Sequence, residues 1–254
     1  MRIATYNIWN TDKVLSERKQ AILTQIQTIN ADIICLQEVM NYNYYEYIAE
    51  KCDYQFSCFF NHTNEEEGLT VLSRYPIKQS KYISNAIITV IEVAGYLISL
   101  ANVHLSWDSV LKREKEIIHI VKYLDKIDSD FAFIAGDLNC SPNSSVHRYL
   151  LGQQSLYNEE SNPCWYDLAE SYGDIKGIEP DITLDFRTNP RWNGKNTIEV
   201  NQRCDCIFIR NPYPKDFPCL VCCDTFGKKI DFHTKLTASD HWGVFCDLNF
   251  ISEI

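Results

Sequence analysis

The stretch FAFIAGDLN, residues 131–139, decides the fold class of this chain. Residues 131–135 are all apolar, which is typical of a strand that is covered on both faces of its sheet. The run stops at Gly136, and two polar residues, Asp137 and Asn139, follow. Glycine, aspartate and asparagine are ordinary turn residues. Taken alone, the stretch therefore predicts a doubly buried strand with polar groups at its end.

Other apolar runs of the chain are also interrupted or ended by one polar side chain. Glu38 follows the run 33–36, His104 follows the run 100–103, and Asp205 stands inside an apolar run. Taken singly, Glu38 could lie at a solvated strand end and His104 could be a hydrogen-bonded core histidine. Asp205 is less easily explained, because Asp is disfavoured in strands. A buried carboxylate costs several kcal/mol unless it is paired, so the group as a whole indicates a polar site.

The spacing of apolar residues predicts many strands and few long helices. One helix is expected after Ser16 as its cap, with Ile22, Ile26 and Ile29 on one face. A second is expected over 109–127, with an apolar stripe. This mixture favours two packed sheets with helices outside them. The stripe is Leu111, Ile118, Val121 and Leu124, and the predicted strands are 3–8, 32–38, 54–60, 69–73, 87–93, 96–104, 131–135, 203–209, 219–224 and 242–250.

The amino-acid composition of the chain excludes some classes of function. The 254 residues are 45% hydrophobic and carry a formal net charge of −10, which argues against a broad basic face that coats nucleic acid. The eleven cysteines lack a second pair at zinc spacing, so reduced, buried thiols are expected. No apolar run reaches the roughly 18 residues of a membrane span, and the N-terminus does not resemble a signal peptide. We expect a cytoplasmic, monomeric protein with no stable membrane association, and one domain over 1–254.

One arrangement accounts for all the polar interruptions: a pocket at one end of two sheets that holds a hard divalent cation. Mg²⁺ prefers oxygen ligands and keeps several waters, so one or two carboxylates such as Glu38 suffice. The triplet Ser239-Asp240-His241 precedes the last strand and supplies an imidazole. Asp205 could orient that imidazole through its other nitrogen.

Four motifs in the order of the chain resemble those of the endonuclease/exonuclease/phosphatase superfamily, which includes deoxyribonuclease I. They are Tyr6-Asn7-Ile8-Trp9, Leu36-Gln37-Glu38-Val39, Gly136-Asp137-Leu138-Asn139 and Ser239-Asp240-His241-Trp242-Gly243, and the segments 68–77, 102–105 and 203–208 resemble secondary motifs. The resemblance implies a four-layer α/β sandwich, in which two packed mixed β-sheets are flanked by helices. It also implies a metal-dependent phosphodiesterase, with Mg²⁺, or alternatively Mn²⁺, as cofactor.

The roles can be assigned residue by residue as hypotheses. Asp137 would position and deprotonate the attacking water, and Asn139 would hold that water and a phosphate oxygen. His241, oriented by Asp205, and His104 would donate to non-bridging phosphate oxygens. The sequence leaves open whether Asp137 or His241 takes the proton. The predicted metal ligands are Glu38 together with Asn7 or Asp240.

The substrate is less well defined than the chemistry. The ending of the chain and residues 15–18 resemble the tyrosyl-DNA phosphodiesterase 2 branch of the superfamily, which implies DNA ends, including 5′-tyrosyl linkages, as substrate. Three positions depart from that branch: Trp9, Cys140 and Leu184. The candidates for substrate contact are Arg187, Arg191 and Trp192 in a polar loop and Tyr45 and Trp107 near the expected mouth; a solvated loop and a packed aromatic helix face are the alternatives.

Two other functions remain open at this stage. The same core could hydrolyse a phospholipid, such as sphingomyelin, or an inositol phosphate or another small phosphate ester. Members of the superfamily that act on membranes need an exposed apolar hairpin, and residues 87–91 are the nearest candidate, although their pattern favours core. The other function, from a different class, is a catalytically inactive binding module.

Overall fold

The structure is a computed structural model that describes residues 1–12, 15–62, 67–192, 198–232 and 234–250. Its first sheet contains six strands, in the order β11-β12-β1-β2-β4-β3. Strands β1 and β2 are parallel and the other neighbours are antiparallel. The strands of this sheet are β1 (Arg2–Asn7), β2 (Ile33–Val39), β3 (Phe56–Asn61), β4 (Gly68–Ser73), β11 (Cys219–Phe226) and β12 (Gly243–Asn249).

The second sheet also contains six strands, in the order β5-β6-β7-β8-β10-β9. Strands β7 and β8 are its parallel pair. The strands are β5 (Ile77–Ile83), β6 (Ala86–Val93), β7 (Tyr96–His104), β8 (Phe131–Asp137), β9 (Trp165–Asp167) and β10 (Asp205–Arg210). The five helices in the described part of the chain are α1 (Leu15–Ile29), α2 (Tyr42–Lys51), α3 (Val110–Leu124), α4 (Ser145–Leu150) and α5 (Leu168–Lys176).

Alternation along β8 shows how the layers are built. Phe131, Phe133 and Ala135 belong to the core between the two sheets. Ala132 and Ile134 point the other way, into an apolar cluster with α3 and α4. A third cluster joins the outer face of the first sheet to α1 and α2. The predicted four-layer α/β sandwich, with two mixed sheets flanked by helices, is therefore confirmed.

Some predicted boundaries are wrong. Ser16 lies inside α1 and does not cap it. Ser109 caps α3 by accepting a hydrogen bond from the backbone N–H of Lys112, and the helix ends at Leu124. Leu111, in the first turn of α3, is 53% exposed and does not belong to the buried stripe. Val110, in the same turn, is 55% exposed as well.

The sequence pattern misses elements that carry little apolar periodicity. β5 is an edge strand that is mostly exposed, and its lysines are typical of a protected sheet edge. β9 has only three residues. All eleven cysteines are free, and the expectation of buried thiols is wrong for Cys219, which is exposed on edge strand β11. Among the described residues, no helix is long and apolar enough to cross a membrane.

Candidate active site

The polar residues that end the apolar strands meet at one edge of the sandwich. In the second sheet, His104 of β7 pairs in register with Asp137 of β8, and Asp137 pairs with Asp205 of β10. These three side chains therefore stand on three neighbouring strands. In the first sheet, Asn7 ends β1 and Glu38 lies near the end of β2.

Gly136 explains how Asp137 reaches this position. Its φ is +147°, and a Cβ atom there would lie 2.0 Å from the carbonyl oxygen of Val103 on β7. A side chain at this position would push β7 and β8 apart. After the strand, Asn139 adopts a φ of 50°, which turns the chain sharply.

Glu38 is placed by an irregularity in the sheet. The register between β2 and β4 shifts between Leu36 and Val39, and Glu38 itself has a φ of 57°. A bulge re-aims a side chain, and a positive φ outside glycine is uncommon. The Glu38 carboxylate accepts hydrogen bonds from Asn7 Nδ2 (2.9 Å) and from the backbone N–H of Asn10 (2.8 Å).

Asn7 connects the two sheets. Its amide nitrogen donates to Glu38 and, at 3.1 Å, to Asp137 Oδ2, while its oxygen accepts from the backbone N–H of Trp9 at 3.0 Å. The nitrogen therefore faces the carboxylates. Ligation of a metal would require the oxygen, which is bonded to the backbone N–H of Trp9, and the assignment of Asn7 as a metal ligand stays a prediction. Asn7 is placed to orient the two carboxylates.

Asp137 lies at the centre of the site and is 1% exposed. Its Oδ1 accepts from the backbone N–H of Asn139 at 2.7 Å. Its Oδ2 lies 3.8 Å from His104 Nε2 and 4.0 Å from His241 Nε2. His104 Nε2 is also 3.9 Å from Glu38 Oε1. One carboxylate oxygen of Asp137 is thus surrounded by an amide and two imidazoles.

His241 is oriented by Asp205, as the sequence predicts. The distance from His241 Nδ1 to Asp205 Oδ2 is 2.8 Å, and both residues are buried. Burial by itself lowers the pKa of His241, but the carboxylates of Asp205, Asp137 and Asp240 outweigh it and hold that pKa well above its ordinary value. The imidazolium form is therefore favoured, with Nε2 on the side of Asp137.

Asp240 supplies a second carboxylate for a cation. Burial, and then the negative charge of Glu38, raise the pKa of Asp240 to about 6. A divalent cation beside Asp240 would favour its ionised form, and carboxylate oxygens are the ligands that such a cation prefers. The residues present therefore fit a hard, oxygen-preferring metal ion held by Glu38 and Asp240.

Two residues that hold the site together were missed by the sequence argument. Thr183 Oγ1 accepts from the backbone N–H groups of Cys204 (3.0 Å) and Asp205 (3.1 Å). Asn189 Nδ2 donates to the carbonyl oxygens of Ser239 (3.2 Å) and Asp240 (2.9 Å). Asn189 belongs to the polar loop that was considered only for substrate contact, and Thr183 lies just before that loop. Their burial, which the sequence did not indicate, identifies them as positioning residues.

The substrate-contact candidates separate into different environments. Tyr45 stacks on Phe59 with ring centroids 5.4 Å apart, and its hydroxyl lies 2.6 Å from Ser57 Oγ. It belongs to the core of the first sheet, so the packing alternative holds for Tyr45 and the substrate-contact prediction is corrected. Trp107, in contrast, is 79% exposed directly after the strand that carries His104.

The polar loop is only partly available to a substrate. Arg187 is exposed, and its Nη2 donates to the carbonyl oxygen of Glu199 at 2.8 Å. Arg191 stacks over the Trp9 ring, 4.9 Å from its centroid, and bonds to the carbonyl oxygen of Thr237. Trp192 packs against Phe186 with centroids 4.8 Å apart.

Arg191 and Arg18 both make cation–π contacts with the ring of Trp9. The guanidinium of Arg18 lies 4.8 Å from the ring centroid, and it donates to the backbone carbonyls of Ile8, Trp9, Thr11 and Ala238. Burial, and then the nearby Arg18, lower the pKa of Arg191 to about 10. In the described residues, Arg191 Nε and Nη1 have no hydrogen-bond partner. Both donors are buried, so Arg191 acts on the site as a positive charge near Asp240.

Two six-stranded sheets with carboxylates, an amide and imidazoles at one edge define a hydrolase of the nuclease and phosphodiesterase type with the deoxyribonuclease I-like fold. The chain belongs to the endonuclease/exonuclease/phosphatase family, whose pattern matches residues 4–241. Humanized TDP2 of D. rerio superposes with a TM-score of 0.77 at 17% identity, over 98% of this chain and 99% of that chain. D. rerio TDP2 complexed with single-strand DNA product gives 0.76 at 17% identity, over 98% and 99%.

Curated relatives are similar at low identity. A probable CCR4-Not complex 3′-5′-exoribonuclease subunit Ccr4 of Vairimorpha ceranae is 27% identical over 60% of this chain, and the match spans only 41% of that protein. The inositol phosphosphingolipids phospholipase C of Schizosaccharomyces pombe is 23% identical over 96% of this chain and 67% of that protein. Both matches agree with the family, while their names differ in substrate.

Proposed function

We propose that this protein is a Mg²⁺-dependent phosphodiesterase that hydrolyses ester bonds at DNA ends, including 5′-tyrosyl-DNA linkages. The observation that carries the proposal is the surrounding of Asp137 Oδ2 by Asn7, His104 and His241. A carboxylate that is held by an amide and flanked by two imidazoles can take a proton beside groups that donate to a phosphate.

Mg²⁺ bound by Glu38 and Asp240 would supply stabilisation of the negative charge that develops on the phosphate and on the leaving oxygen. Hydrogen bonds within the folded chain hold both of these ligands in place. Glu38 accepts two hydrogen bonds that hold both of its oxygens. Asp240 lies in a segment that Asn189 and Ser239 fix through its backbone and side chain.

Asp137 is the group that positions and deprotonates the attacking water. Its Oδ1 is held by the backbone N–H of Asn139, so Oδ2 is the oxygen that receives the proton. Asn139 is itself held, because its Nδ2 donates to the carbonyl oxygen of Leu105 at 2.8 Å. Its remaining amide groups are available to the water and to one phosphate oxygen.

His241 and His104 act as donors to the non-bridging oxygens. Because Nδ1 of His241 is bonded to Asp205, Nε2 is the nitrogen that can donate into the site. The raised pKa of His241 keeps that nitrogen protonated; burial opposes this, but the surrounding carboxylates outweigh it. His104 contributes from the neighbouring strand, 3.8 Å from the same Asp137 oxygen.

Nucleic acid as the substrate class is supported by the relatives and by the loop. One similar structure is described with a single-strand DNA product, and one curated relative is named as an exoribonuclease. The exposed Trp107 provides an aromatic face for a base, and the positive charge of Arg191 acts on Asp240 of the site. The net charge of −10 favours a compact contact of this kind over a broad basic face.

A phospholipid substrate is the second candidate, because the Schizosaccharomyces pombe relative that spans 96% of this chain is named a phospholipase C. The segment 87–91, which was the nearest candidate for a membrane-contacting hairpin, does not favour a phospholipid substrate. Ile87, Ile88 and Ile91 of β6 are at most 2% exposed and pack in the core. The residues considered for membrane contact are therefore structural.

The decisive experiment compares hydrolysis of several substrates with Mg²⁺ and with a chelator. They are a 5′-phosphotyrosyl oligonucleotide, an abasic duplex, plain single-stranded DNA, single-stranded RNA and sphingomyelin, with Asp137→Asn as the inactive control. Selective, Mg²⁺-dependent release of tyrosine is expected. Cleavage of RNA or sphingomyelin alone would replace the proposed substrate and leave the chemistry unchanged. If the wild-type protein hydrolysed none of the five substrates, the proposal would be overturned.

A further inference from the structure

A second group of metal-ligand side chains lies beside the proposed magnesium site. His62 follows β3, Glu67 precedes β4 and His104 ends β7. One ligand atom from each residue lies within 4.8 Å of the other two. The backbone N–H of His62 donates to the carbonyl oxygen of Glu67 at 2.9 Å, so the two chain segments are held together at the end of the β3–β4 pair.

Hydrogen bonds determine which nitrogen of His62 carries its proton. Asn85 Nδ2 donates to Glu116 Oε1 at 2.9 Å, so the Asn85 oxygen faces Tyr82. The Tyr82 hydroxyl donates its one hydrogen to that oxygen at 2.8 Å. The Tyr82 oxygen therefore accepts from His62 Nδ1, 2.9 Å away. The lone pair of the neutral imidazole is left on Nε2.

His62 is built like a metal-binding histidine. Metal-bound imidazoles almost always donate their other N–H to an oxygen, which sets the tautomer and the ring orientation. His62 is 6% exposed, and a metal binds the neutral imidazole through the lone pair on Nε2.

We propose that His62, Glu67 and His104 form a zinc site. Two imidazoles and one carboxylate are the donor set of zinc sites that keep an open fourth position. Imidazole ligands favour Zn²⁺, whereas Mg²⁺ prefers oxygen. The ligand atoms of a tetrahedral zinc ion lie roughly 3.3 Å apart, so zinc binding would draw the three side chains closer than the 4.8 Å within which they lie here.

Zinc at this site would interfere with the proposed hydrolysis, and this consequence rests on the proposed function. His104 Nε2 lies 3.8 Å from Asp137 Oδ2 and 3.9 Å from Glu38 Oε1, so His104 is shared between the two sites. An imidazole nitrogen that binds zinc cannot donate to a phosphate oxygen. Occupancy by zinc therefore removes one of the phosphate donors, and zinc inhibits the Mg²⁺-dependent reaction.

Zinc titration of the metal-free full chain by calorimetry tests binding without any turnover. We expect one zinc ion that His62→Gln weakens by at least about 100-fold, and that Tyr82→Phe, which removes only the orienting oxygen, weakens by about 10-fold to 100-fold. His119→Gln, at an exposed histidine of α3, is the matched control and should bind as the wild type does. Glu38→Gln should also retain zinc, which separates this site from the magnesium site.

X-ray absorption at the zinc edge identifies the ligands. Two imidazoles and no sulfur are expected in the wild type. Sulfur ligands would assign the bound zinc to cysteines such as the exposed Cys219 and would overturn the proposal. Unchanged zinc affinity in both His62→Gln and Tyr82→Phe, with native circular dichroism, would overturn it as well.

Activity then tests the coupling separately. The rate of each variant with zinc is divided by its own rate without zinc, under saturating Mg²⁺. Inhibition by zinc in the wild type and in His119→Gln, and its loss in His62→Gln, is the expected pattern. Equal inhibition of all three would overturn the coupling. Because calorimetry needs no substrate, failure of the proposed function would leave the zinc result interpretable.

Discussion

His241 and Asp205 are joined by a hydrogen bond of 2.8 Å between Nδ1 and Oδ2, although His241 precedes β12 of one sheet and Asp205 begins β10 of the other. The bond spans the two sheets at the site. Because both residues are buried, the contact with Asp205 sets the orientation and the charge of the imidazole at once.

Asp205→Asn should therefore lower kcat by about 10²-fold to 10³-fold, with a small change in KM, because a donor to the developing phosphate charge is lost. The variant also removes a carboxylate that raises the pKa of His241, against the effect of burial. The basic limb of the rate profile should accordingly move to lower pH. Steady-state kinetics over a pH range measure both effects.

The control for this change is Asp174→Asn, at an exposed position of α5. It removes one negative charge from the chain without touching the site. A rate and a pH profile equal to those of the wild type are expected. If Asp205→Asn behaved in the same way as Asp174→Asn, His241 would need no partner and its assigned role would be wrong.

Asp137→Asn should nearly abolish turnover while the protein remains folded. Removal of a general base costs about 10²-fold to 10⁴-fold in rate. The negative charge of Asp137 contributes to the raised pKa of the buried Asp205, so neutralising Asp137 removes that repulsion and the variant should remain folded. Kinetics and thermal unfolding measured on one preparation check both statements. Wild-type activity in a folded variant would exclude Asp137 as the base.

Glu38→Gln should raise the Mg²⁺ concentration needed for half-maximal rate by at least about 10-fold, because an ionic oxygen ligand becomes a neutral amide. The amide can still meet the N–H of Asn10 and keep the loop in place. Titration of the rate with Mg²⁺ is the measurement. Exposed Glu46→Gln, on α2, is the matched control and should leave the titration unchanged.

The fold could be predicted where strands are long and apolar. The predicted strand 96–104 has the same bounds as β7. The doubly buried β8 was predicted from five apolar residues. Edge strand β5 was missed because its exposed lysines and polar residues give no apolar run. The three-residue β9 depends on pairing with β10 and not on its own sequence.

The site could be predicted in part for the same reason. Polar groups that follow apolar strands indicated Glu38, His104 and Asp137, and a carboxylate inside an apolar run indicated Asp205. The first rule, applied to the end of β3, would also have indicated His62. Thr183 was not visible to this rule, because it lies in a loop and acts through the backbone N–H of Asp205. Side-chain orientation was also beyond the sequence, as the amide of Asn7 shows.

Asn102 links the two sheets in the core, and Asn102→Ala should destabilise the protein. The side chain is fully buried; it accepts from Gln37 Nε2 at 2.7 Å and donates to the carbonyl oxygens of Leu36 (3.0 Å) and Thr70 (2.8 Å). Alanine removes these three hydrogen bonds, and each buried group that is left unsatisfied costs about 1–3 kcal/mol. Chemical denaturation should show a loss of about 2–4 kcal/mol in the free energy of unfolding.

Asn43→Ala, at an exposed position of α2, provides the comparison for Asn102→Ala. Surface substitutions usually change stability by less than about 0.5 kcal/mol. An equal effect of both substitutions would mean that the buried amide contributes no more than an exposed one. That result would exclude Asn102 as a link between the sheets.

A buried ionic network behind the site should make stability depend on pH. His147 of α4 is 1% exposed, and its Nε2 lies 3.3 Å from Asp167 Oδ2. Arg203 also donates to that oxygen at 2.5 Å and to Glu170 at 2.7 Å. Burial alone lowers the pKa of His147, but Asp167 and Glu170 outweigh it and raise that pKa above its ordinary value of 6.5.

The folded state therefore binds the His147 proton more tightly than the unfolded chain does. The resulting stabilisation is complete below pH 6.5 and is lost as the pH rises through the raised folded-state pKa. Each unit by which the two pKa values differ corresponds to about 1.4 kcal/mol. The free energy of unfolding of the wild type, minus that of His147→Gln, should thus fall as the pH rises above 6.5 and through the raised folded-state pKa. Denaturation of both proteins in the same buffers cancels the other titrating groups. A difference that stays constant over this range would mean that His147 is neutral in the fold, and that Arg203 alone neutralises Asp167.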